Sequence, residues 1–253
     1  MKMSNKLLLG FYALVILSFT SFVVLAKSSL IVVEKLEGSG VIQEIDLGEM
    51  NTNELKFSDY AIEYILDPNS TRVVAKLDTV LLSKLNNPID LEQIQLDRIL
   101  DGRYSMTNME TQKVIVGTKA YDDLTISMSN FSKVSAIDTL HLKSLTIAMS
   151  GSAVLDLKLD CNNLIISASN FSELNLEGDV NSVVMNASGS AAVQAGNLQS
   201  KQWQFNMSNF AKATINAEDA AQGNCSNSST LKLVKKPTNQ NINTSQFANV
   251  YVE

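Results

Sequence analysis

The acid, base and nucleophilic side chains that could carry out chemistry are scattered along this 253-residue sequence. Asp122-Asp123, Asp156, Glu173 and Asp179 fall at different places relative to the repeat described below. Glycoside hydrolysis needs two carboxylates at a fixed separation, and metal-assisted hydrolysis needs a metal with a base beside it. The pattern therefore predicts no catalytic residue, no metal site and no cofactor. For Asp122-Asp123 two interpretations stay open: an acidic stop to strand pairing at the first coil, which we favour, or a Ca²⁺ ligand.

The one histidine and the two cysteines do not predict a catalytic or metal site either. His141 alone is too little for a zinc site or a triad, and its place between two repeats predicts a solvent-exposed turn residue. Cys161 and Cys225 are 64 residues apart, which fits no metal-ligand spacing. Cys225 falls in an apolar column and is expected in the core, whereas Cys161 is expected in a turn. We therefore expect no disulfide between them.

A three-residue phrase, which we call the anchor, recurs seven times after residue 128. It consists of Ser, then Asn, Gly or Gln, then Phe and Ser in alternation; the middle residue is position 0, and other positions are counted from it. Successive position-0 residues are 21, 19, 19, 20, 18 and 19 residues apart, a period that marks a repeat architecture. The anchors are Ser129-Asn130-Phe131, Ser150-Gly151-Ser152, Ser169-Asn170-Phe171, Ser188-Gly189-Ser190, Ser208-Asn209-Phe210, Ser226-Asn227-Ser228 and Ser245-Gln246-Phe247.

Around each anchor, apolar and polar residues alternate as they do in strands that bury one face. Positions −6, −4 and −2 are mostly apolar, as at Leu145, Ile147 and Met149, and so are positions +4 and +6, as at Leu155 and Leu157. Each repeat thus predicts two strands with a corner at the anchor, where Asn and Gly readily adopt positive φ. One repeat buries too little to fold alone, so the coils must stack. The sequence predicts an all-β protein, a parallel β-helix or β-solenoid of about seven coils of about 19 residues.

Two columns of the anchor raise the question of a ligand. Ser occupies position −1 in all seven anchors; we interpret it as a structural row whose hydroxyls bond the backbone, with a ligand-contacting row as the alternative. Phe occupies position +1 in every second coil, with Ser between. If this column points inward, as we favour, Phe and Ser alternate as a large and small packing pair. If it points outward, it is an apolar stripe that would bind a partner, formed by Phe131, Phe171, Phe210 and Phe247.

The N-terminal residues 1–28 predict a membrane-anchor or signal helix. Residues 7–26 are uncharged and largely apolar and follow Lys2 and Lys6, which is typical of a span of about 20 residues. We favour an uncleaved anchor, with a signal peptide that is cleaved and a secreted body as the alternative. The preceding lysines predict a cytoplasmic N-terminus and an extracytoplasmic body, in the periplasm or at the cell surface.

Residues 29–120 lack the anchor and predict a β-rich region before the coils at 121–253. A turn at Asp67-Pro68-Asn69-Ser70 predicts a hairpin between the strands on either side of it, and Leu77 to Leu85 predicts a short helix. The expected strands are Val41 to Leu47, Tyr60 to Leu66, Val73 to Leu77 and Val114 to Val116.

The overall charge restricts the class of partner. The net charge is −6 and the pI is near 4.9. A nucleic-acid partner would call for a basic face, and a run of Lys or Arg would be needed to hold an anionic membrane surface. We therefore expect no nucleic-acid partner.

The repeats resemble the head GIN domain (DUF2807), a bacterial family often described as an auto-transporter adhesin. Its phrase, an apolar strand, Ser-Gly-Ser and a second short strand, is nearly unchanged in Leu145 to Leu157 (LTIAMSGSAVLDL) and Val183 to Ala195 (VVMNASGSAAVQA). The likeness extends over about residues 40 to 253; the Ser-Asn-Phe anchors depart from it, because the family more often has Gly there. The resemblance implies a right-handed parallel β-helix at the cell envelope and no established reaction.

Three functions fit these observations. The first is a non-enzymatic, adhesin-like or scaffold protein of the cell envelope that presents its coil faces to a protein or glycan partner. The second is a structural protein that self-assembles into homo-oligomers through its open ends or its Phe column. The third, a carbohydrate-active β-helix enzyme, is disfavoured by the scattered carboxylates.

Overall fold

The computed structural model describes residues 34–58, 62–84, 104–107 and 112–253. The described chain is built almost entirely from strands. In chain order the elements are β1 (Glu34–Glu37), β2 (Ile42–Glu49), β3 (Glu54–Phe57), β4 (Ile62–Asp67), β5 (Arg72–Asp78), α1 (Thr79–Lys84), β6 (Tyr104–Thr107), β7 (Gln112–Gly117), β8 (Asp123–Met128), β9 (Lys133–Ala136), β10 (Leu140–Met149), β11 (Val154–Ala168), β12 (Glu173–Ala187), β13 (Ala192–Met207), β14 (Lys212–Cys225), β15 (Thr230–Leu233), β16 (Asn239–Thr244) and β17 (Asn249–Val252).

Strands of successive repeats pair in parallel and in register, so that equivalent residues become neighbours. Leu145 of β10 pairs with Leu124 of β8 on one side and with Leu164 of β11 on the other. The same column continues through Val183 and Trp203. The predicted all-β solenoid of about seven coils is therefore confirmed, and the sequence columns are the layers of its core.

The alternating apolar positions fill the interior of the solenoid. At position −4, for example, the side chains of Ile126, Ile147 and Ile166 are fully buried and stack one above another. Trp203, the only tryptophan of the chain, is also fully buried in the −6 column. Each layer removes apolar surface from water, and this burial stabilises the stack by about 25 cal/mol per Å².

In the coils that contain β11 to β14, the anchor corner interrupts the strand and a second corner does not. The anchor corner separates β11 from β12, whereas β11 itself runs without a break through a second corner at Asn162-Asn163. Both residues are exposed there, so the inward-outward alternation shifts by one residue. The sequence predicts two strands per coil; in β11 to β14 the structure joins the strand after one anchor to the strand before the next, whereas β9 and β10, and β15 and β16, are separate as predicted. Cys161 lies in β11 just before this corner and is buried, so its expected place in a turn was wrong.

The region before the repeats adds a parallel layer to the first coil. β3 pairs with β8, and β4 pairs with β9. Ser58 follows β3, and the Ser129 N–H donates to the Phe57 carbonyl at 2.9 Å, as the Ser150 N–H does to the Met128 carbonyl of the next layer at 3.0 Å. The layer is also held by Glu63, whose pKa is lowered chiefly by a hydrogen bond from Lys133.

The predicted hairpin between β4 and β5 was wrong. Both edges of β4 are taken by parallel neighbours, β9 on one side and β7 on the other, and β7 then pairs antiparallel with β5. The turn after Asp67 is present, but it carries the chain past β7. The strands expected at β2, β4, β5 and β7 and the short helix α1 are confirmed.

The expected anchor or signal helix at 7–26 lies outside the described residues. Within the described ranges, no helix is both long and apolar enough to cross a membrane.

Candidate functional site

The anchor corner is built around a residue in the left-handed region. Position 0 has φ values of 57° at Asn130, 60° at Asn170 and 52° at Asn209, and of 70° and 66° at Gly151 and Gly189. Asn and Gly are the residues that adopt this conformation most easily. The conformation expected at the anchor is therefore confirmed.

Space explains why Gly alternates with Asn in the first four anchors. A Cβ on Gly151 would lie 2.8 Å from backbone atoms of Asn130 in the preceding coil, and one on Gly189 would lie 2.8 Å from the backbone of Asn170. A contact this short requires the backbone to shift. Gly is thus required at these positions by two constraints, the left-handed φ and the close approach of the neighbouring coil.

The last three anchors have a different corner. Position +1 is also left-handed there, with φ of 66° at Phe210, 60° at Ser228 and 64° at Phe247. The Phe171 N–H donates to the Gly151 carbonyl of the preceding coil at 2.9 Å, whereas the Phe210 N–H donates to the Asn227 carbonyl of the following coil at 3.1 Å. The N–H at position +1 has thus reversed its direction along the axis. In these coils one Asn follows another at position 0, so the alternation of Asn with Gly ends here.

The Phe residues at position +1 point outward, so the favoured inward packing was wrong. Position +2 turns inward instead and holds only Ser or Ala, such as the fully buried Ser132, Ala153 and Ala191. Because alternate residues face opposite sides, position +1 faces solvent. The four side chains form what we call the Phe stripe, and they are exposed by 66% at Phe131, 72% at Phe171, 64% at Phe210 and 90% at Phe247.

A long groove, which we call the anchor groove, runs beside the anchors along the solenoid axis and has a volume of about 880 Å³. It crosses seven layers, from Lys56–Ser58 to Ser226, and six spacings of about 4.8 Å make it about 29 Å long. The Ser at position −1 lines one side, and position −3 lines the other with Ser127, Ala148, Ser167, Asn186, Asn206 and Asn224. The residues at position −2 lie between them with buried side chains.

The walls of the anchor groove carry polar but almost no charged side chains, and more of the exposed groove surface is apolar than polar. Among the described residues that line it, only Lys56, at the N-terminal end, carries a charge. Amide side chains form a ladder along position −3: Asn224 Nδ2 donates to Asn206 Oδ1 at 2.9 Å, and Asn243 Nδ2 donates to Asn224 Oδ1 at 3.2 Å. The groove therefore offers hydroxyls and amides rather than ions.

The Ser row has the backbone role expected from the sequence, and it also lines the groove. The Ser169 hydroxyl donates to the Met149 carbonyl at 3.3 Å, and the Ser226 hydroxyl donates to the Met207 carbonyl at 3.4 Å, which is the expected backbone role. The same row lines the groove and is half-buried in six of its seven coils. Sequence reasoning missed the groove, although its signal was visible as small polar residues at both −3 and −1.

The ionisable residues singled out in the sequence lie away from the anchor groove. Asp122 forms an ion pair with Lys143 at 2.6 Å, and the pKa of Lys143 is raised by that hydrogen bond. Asp123 begins β8, which pairs with β3, so the expected stop to pairing at this edge was wrong. His141 is exposed, as expected, but it lies in strand β10 rather than in a turn; its Nδ1 is 3.0 Å from Asp160.

The remaining carboxylates do not converge. Asp156 pairs in register with Asn175, Glu173 with Val154, and Asp179 with Asp160. Within the described ranges, no group of three His, Cys, Asp or Glu side chains is placed to hold a metal ion.

Both cysteines are buried free thiols. Burial raises the pKa of Cys161 to about 11, and the charge of Asp160 adds to the effect. Burial also raises the pKa of Cys225 to about 11, against a hydrogen bond with Ser229 that lowers it. Neither thiol is positioned as a nucleophile, since the protonated form dominates near neutral pH.

The coils and anchors define a repetitive parallel β-solenoid, and the comparison with known families agrees. The chain belongs to the family described as "Putative auto-transporter adhesin, head GIN domain", which matches residues 53–237. The resemblance inferred from the repeats is confirmed. No curated protein matches the sequence.

Solved structures share the fold at low sequence identity. A putative adhesin from Bacteroides fragilis is 15% identical with a TM-score of 0.71, and it is matched over 86% of this chain and 100% of its own. A putative adhesin and a putative lipid binding protein, both from Parabacteroides distasonis, are 15% and 16% identical with TM-scores of 0.65 and 0.64, at the same coverage. Identities this low show a common fold, and no ligand of this protein follows from them.

Proposed function

We propose that this protein is a non-enzymatic, adhesin-like protein of the cell envelope that binds a neutral glycan along the anchor groove. The observation that carries the proposal is the groove itself, which crosses seven layers and has Lys56 as the only charged residue among its described lining residues. A site about 29 Å long suits an extended polymer rather than a small molecule.

The chemistry of the walls favours sugars among extended polymers. The hydroxyls at position −1 and the amides at position −3 both donate and accept hydrogen bonds, as sugar hydroxyls do. An acidic polymer or nucleic acid would call for a row of Lys or Arg, and the part of the lining that the structure describes has Lys56 alone, at one end. An extended peptide normally binds by adding a strand to a sheet edge, whereas every layer of the groove between its ends already has two neighbours.

A binding role rather than a catalytic one is supported by what lies near the groove. Its lining residues are Ser, Asn, Ala and Met with Phe57 and Lys56, and no carboxylate or histidine is among the described lining residues. Glycan cleavage would need a general acid with a second carboxylate. The family description as an adhesin and the apolar stretch at residues 7–26 support an envelope location with the body outside the cytoplasm.

The proposal is tested by blocking the groove in its central layers. Ser167→Trp places a large side chain in the groove, and Ile165→Trp places the same side chain on the same strand two residues away, outside it. Ser167 and Ile165 are both exposed, so neither change disturbs the core. Binding of the purified full-length chain to a panel of neutral and acidic polysaccharides is measured by glycan array and then by calorimetry.

We expect the unaltered protein and Ile165→Trp to bind the same neutral glycan. Ser167→Trp should bind it at least about tenfold more weakly, because the inserted indole occupies the space of the glycan. Circular dichroism checks that both variants keep the fold. Equal binding by the two variants would remove the groove as the binding site, and a preference for acidic polymers would contradict the proposal.

A further inference from the structure

We propose that the bound glycan is a β-1,4-linked chain laid along the solenoid axis, and that the Phe stripe stacks on every second sugar. This inference rests on the proposed function and adds the linkage of the ligand and its contacts. The exposure, conformation and spacing of the four Phe residues support it.

The Phe stripe does not contribute to the core. Each Phe side chain is exposed by 64% or more, and the equivalent position in the intervening coils holds Ser without any change of register. In two coils Phe also has a conformational cost, because Phe210 and Phe247 hold left-handed φ values of 66° and 64°. A bulky residue adopts this conformation only against steric repulsion. Exposed aromatic rings in a strained conformation point to a contact made outside the fold.

The stripe follows the anchor groove in the chain, although none of its four Phe residues is among the described residues that line the groove. Asn130 lines the groove at the first anchor, and Phe131 is the next residue along the chain. In the coils of Phe131, Phe171 and Phe210 the ring is two residues from a Ser of the groove wall, whereas Phe247 lies in the next coil beyond Ser226, the last described lining residue. A ligand wide enough to cover the groove and the corner beside it would meet hydroxyls and amides in the groove and aromatic rings beyond the Ser wall, the combination that binds the polar rim and apolar face of a sugar.

The spacing of the rings selects the kind of polymer. Phe occurs in every second layer, so neighbouring rings are separated by two sheet spacings, about 9.6 Å. In a β-1,4-linked glycan successive sugars are turned over, so the same apolar face recurs at every second sugar, at a distance close to two sheet spacings. An extended peptide repeats its faces at about 6.7 Å and would lose step with the rings. An α-1,4-linked glycan coils away from a straight stripe.

The distinguishing test compares two neutral oligosaccharides of equal length and composition, cellohexaose with β-1,4 linkages and maltohexaose with α-1,4 linkages. We expect the full-length protein to bind cellohexaose at least about tenfold more tightly, and Phe171→Ser to weaken that binding about tenfold, as loss of one well-packed aromatic contact does. Titration calorimetry gives both affinities. Fluorescence of the buried Trp203 checks the fold of the variants.

A second variant tests whether binding depends on the two-layer spacing of the rings or only on the apolar surface that they provide. Ser190→Phe adds a ring in an intervening coil, at an exposed position whose φ is not left-handed. If the ligand follows a two-sugar repeat, the added ring meets the wrong face of the chain, and binding of cellohexaose stays the same or weakens. If the stripe is a plain apolar surface for a protein, a lipid or another copy of this chain, the added ring strengthens association.

The outcomes distinguish the two proposals. Equal binding of the two oligosaccharides, or tighter binding by Ser190→Phe, overturns the inference while leaving the groove as a glycan site. Loss of binding by Phe171→Ser together with retention by Ser167→Trp would place the ligand on the stripe and remove the groove. Concentration-dependent association of copies that Phe171→Ser abolishes, measured by sedimentation without glycan, would assign the stripe to self-assembly and overturn the inference.

Discussion

The anchor corner and the second corner turn the chain in different ways. The anchor corner breaks every strand and uses a left-handed residue, with nearly the same three residues in every coil. The second corner leaves strands such as β11 unbroken and shows no fixed phrase, with Asn162-Asn163, Asn181-Ser182 and Lys201-Gln202 at equivalent places. Its bend needs no left-handed residue at those six positions.

The difference shows that a repeated phrase is not needed to bend the solenoid. At the second corner the polar residues vary, and single hydrogen bonds such as Asn181 Nδ2 to Asn162 Oδ1, at 2.8 Å, join neighbouring layers. At the anchor corner the repetition extends to outward positions, the Ser of the groove wall and the Phe of the stripe, which contribute little to the core. Regularity on an exposed face is what a partner with a regular repeat would contact.

The two cysteines allow the two corners to be compared in one molecule, and they carry the largest effect that we expect. Cys161 precedes the second corner and Cys225 precedes the anchor corner; both are buried, with pKa raised from 9.0 to about 11. A shift of this size lowers the thiolate fraction about a hundredfold. Alkylation of the native protein at pH 8, followed by mass spectrometry, should therefore be at least about a hundredfold slower than in urea.

The raised pKa of the two thiols also determines how the stability of the protein changes with pH. Because the folded pKa of each thiol is raised, the stability it contributes is fully present below the unfolded pKa and is lost as pH rises through the folded value, in the window from about 9 to about 11. Cys161→Ala and Cys225→Ala each leave one reporter, so the rates are assigned to one corner at a time. Fast native labelling at Cys225 alone would show that the anchor corner opens locally, contrary to the packing of its layers.

The second prediction concerns the backbone at each corner. Gly189→Ala adds a Cβ that would lie 2.8 Å from the Asn170 backbone at a left-handed position, so we expect a loss of about 2–3 kcal/mol in the free energy of unfolding. Asn181→Ala at the second corner removes one exposed hydrogen bond and should cost no more than about 0.5 kcal/mol. Urea unfolding followed by Trp203 fluorescence measures both. Similar losses for the two variants would mean that the corners are equally constrained.

Much of the fold could be predicted because the apolar columns depend on a local rule. Alternation with period 2, repeated about every 19 residues, defines which side chains of β8 to β15 enter the core, and the register confirms those columns. Pairings that join distant parts of the chain could not be predicted in this way. The insertion of β7 between β4 and β5 and the layer that β3 adds to β8 depend on contacts between separate segments, which no local pattern contains.

The outward direction of the Phe stripe could have been predicted from the sequence. Positions +4 and +6, such as Leu155 and Leu157, are apolar and point inward, so by alternation +2 also points inward and +1 points outward. The small residues at +2, such as Ala153, were a further signal. The groove was less accessible, because its depth depends on how the corner places the −3 and −1 side chains around the backbone at −2.

The smallest expected effect compares two Phe residues of the stripe that differ only in backbone conformation. Phe210 has φ of 66°, whereas Phe171 is not left-handed. Asn adopts the left-handed region far more readily than Phe does, so Phe210→Asn should raise the free energy of unfolding by about 0.5–1 kcal/mol. Phe171→Asn exchanges one exposed side chain for another without relief of strain and should change it by no more than about 0.5 kcal/mol.

The two variants should nevertheless be alike in binding, since each removes one ring from the stripe. A gain in stability joined to a loss of affinity at Phe210 is expected if this strained residue is retained for a partner rather than for the fold. Urea midpoints and calorimetry with cellohexaose give the two quantities. If Phe210→Asn destabilised the protein, the ring would be supporting its own corner, and the argument from strain to a partner would no longer apply to the last three coils.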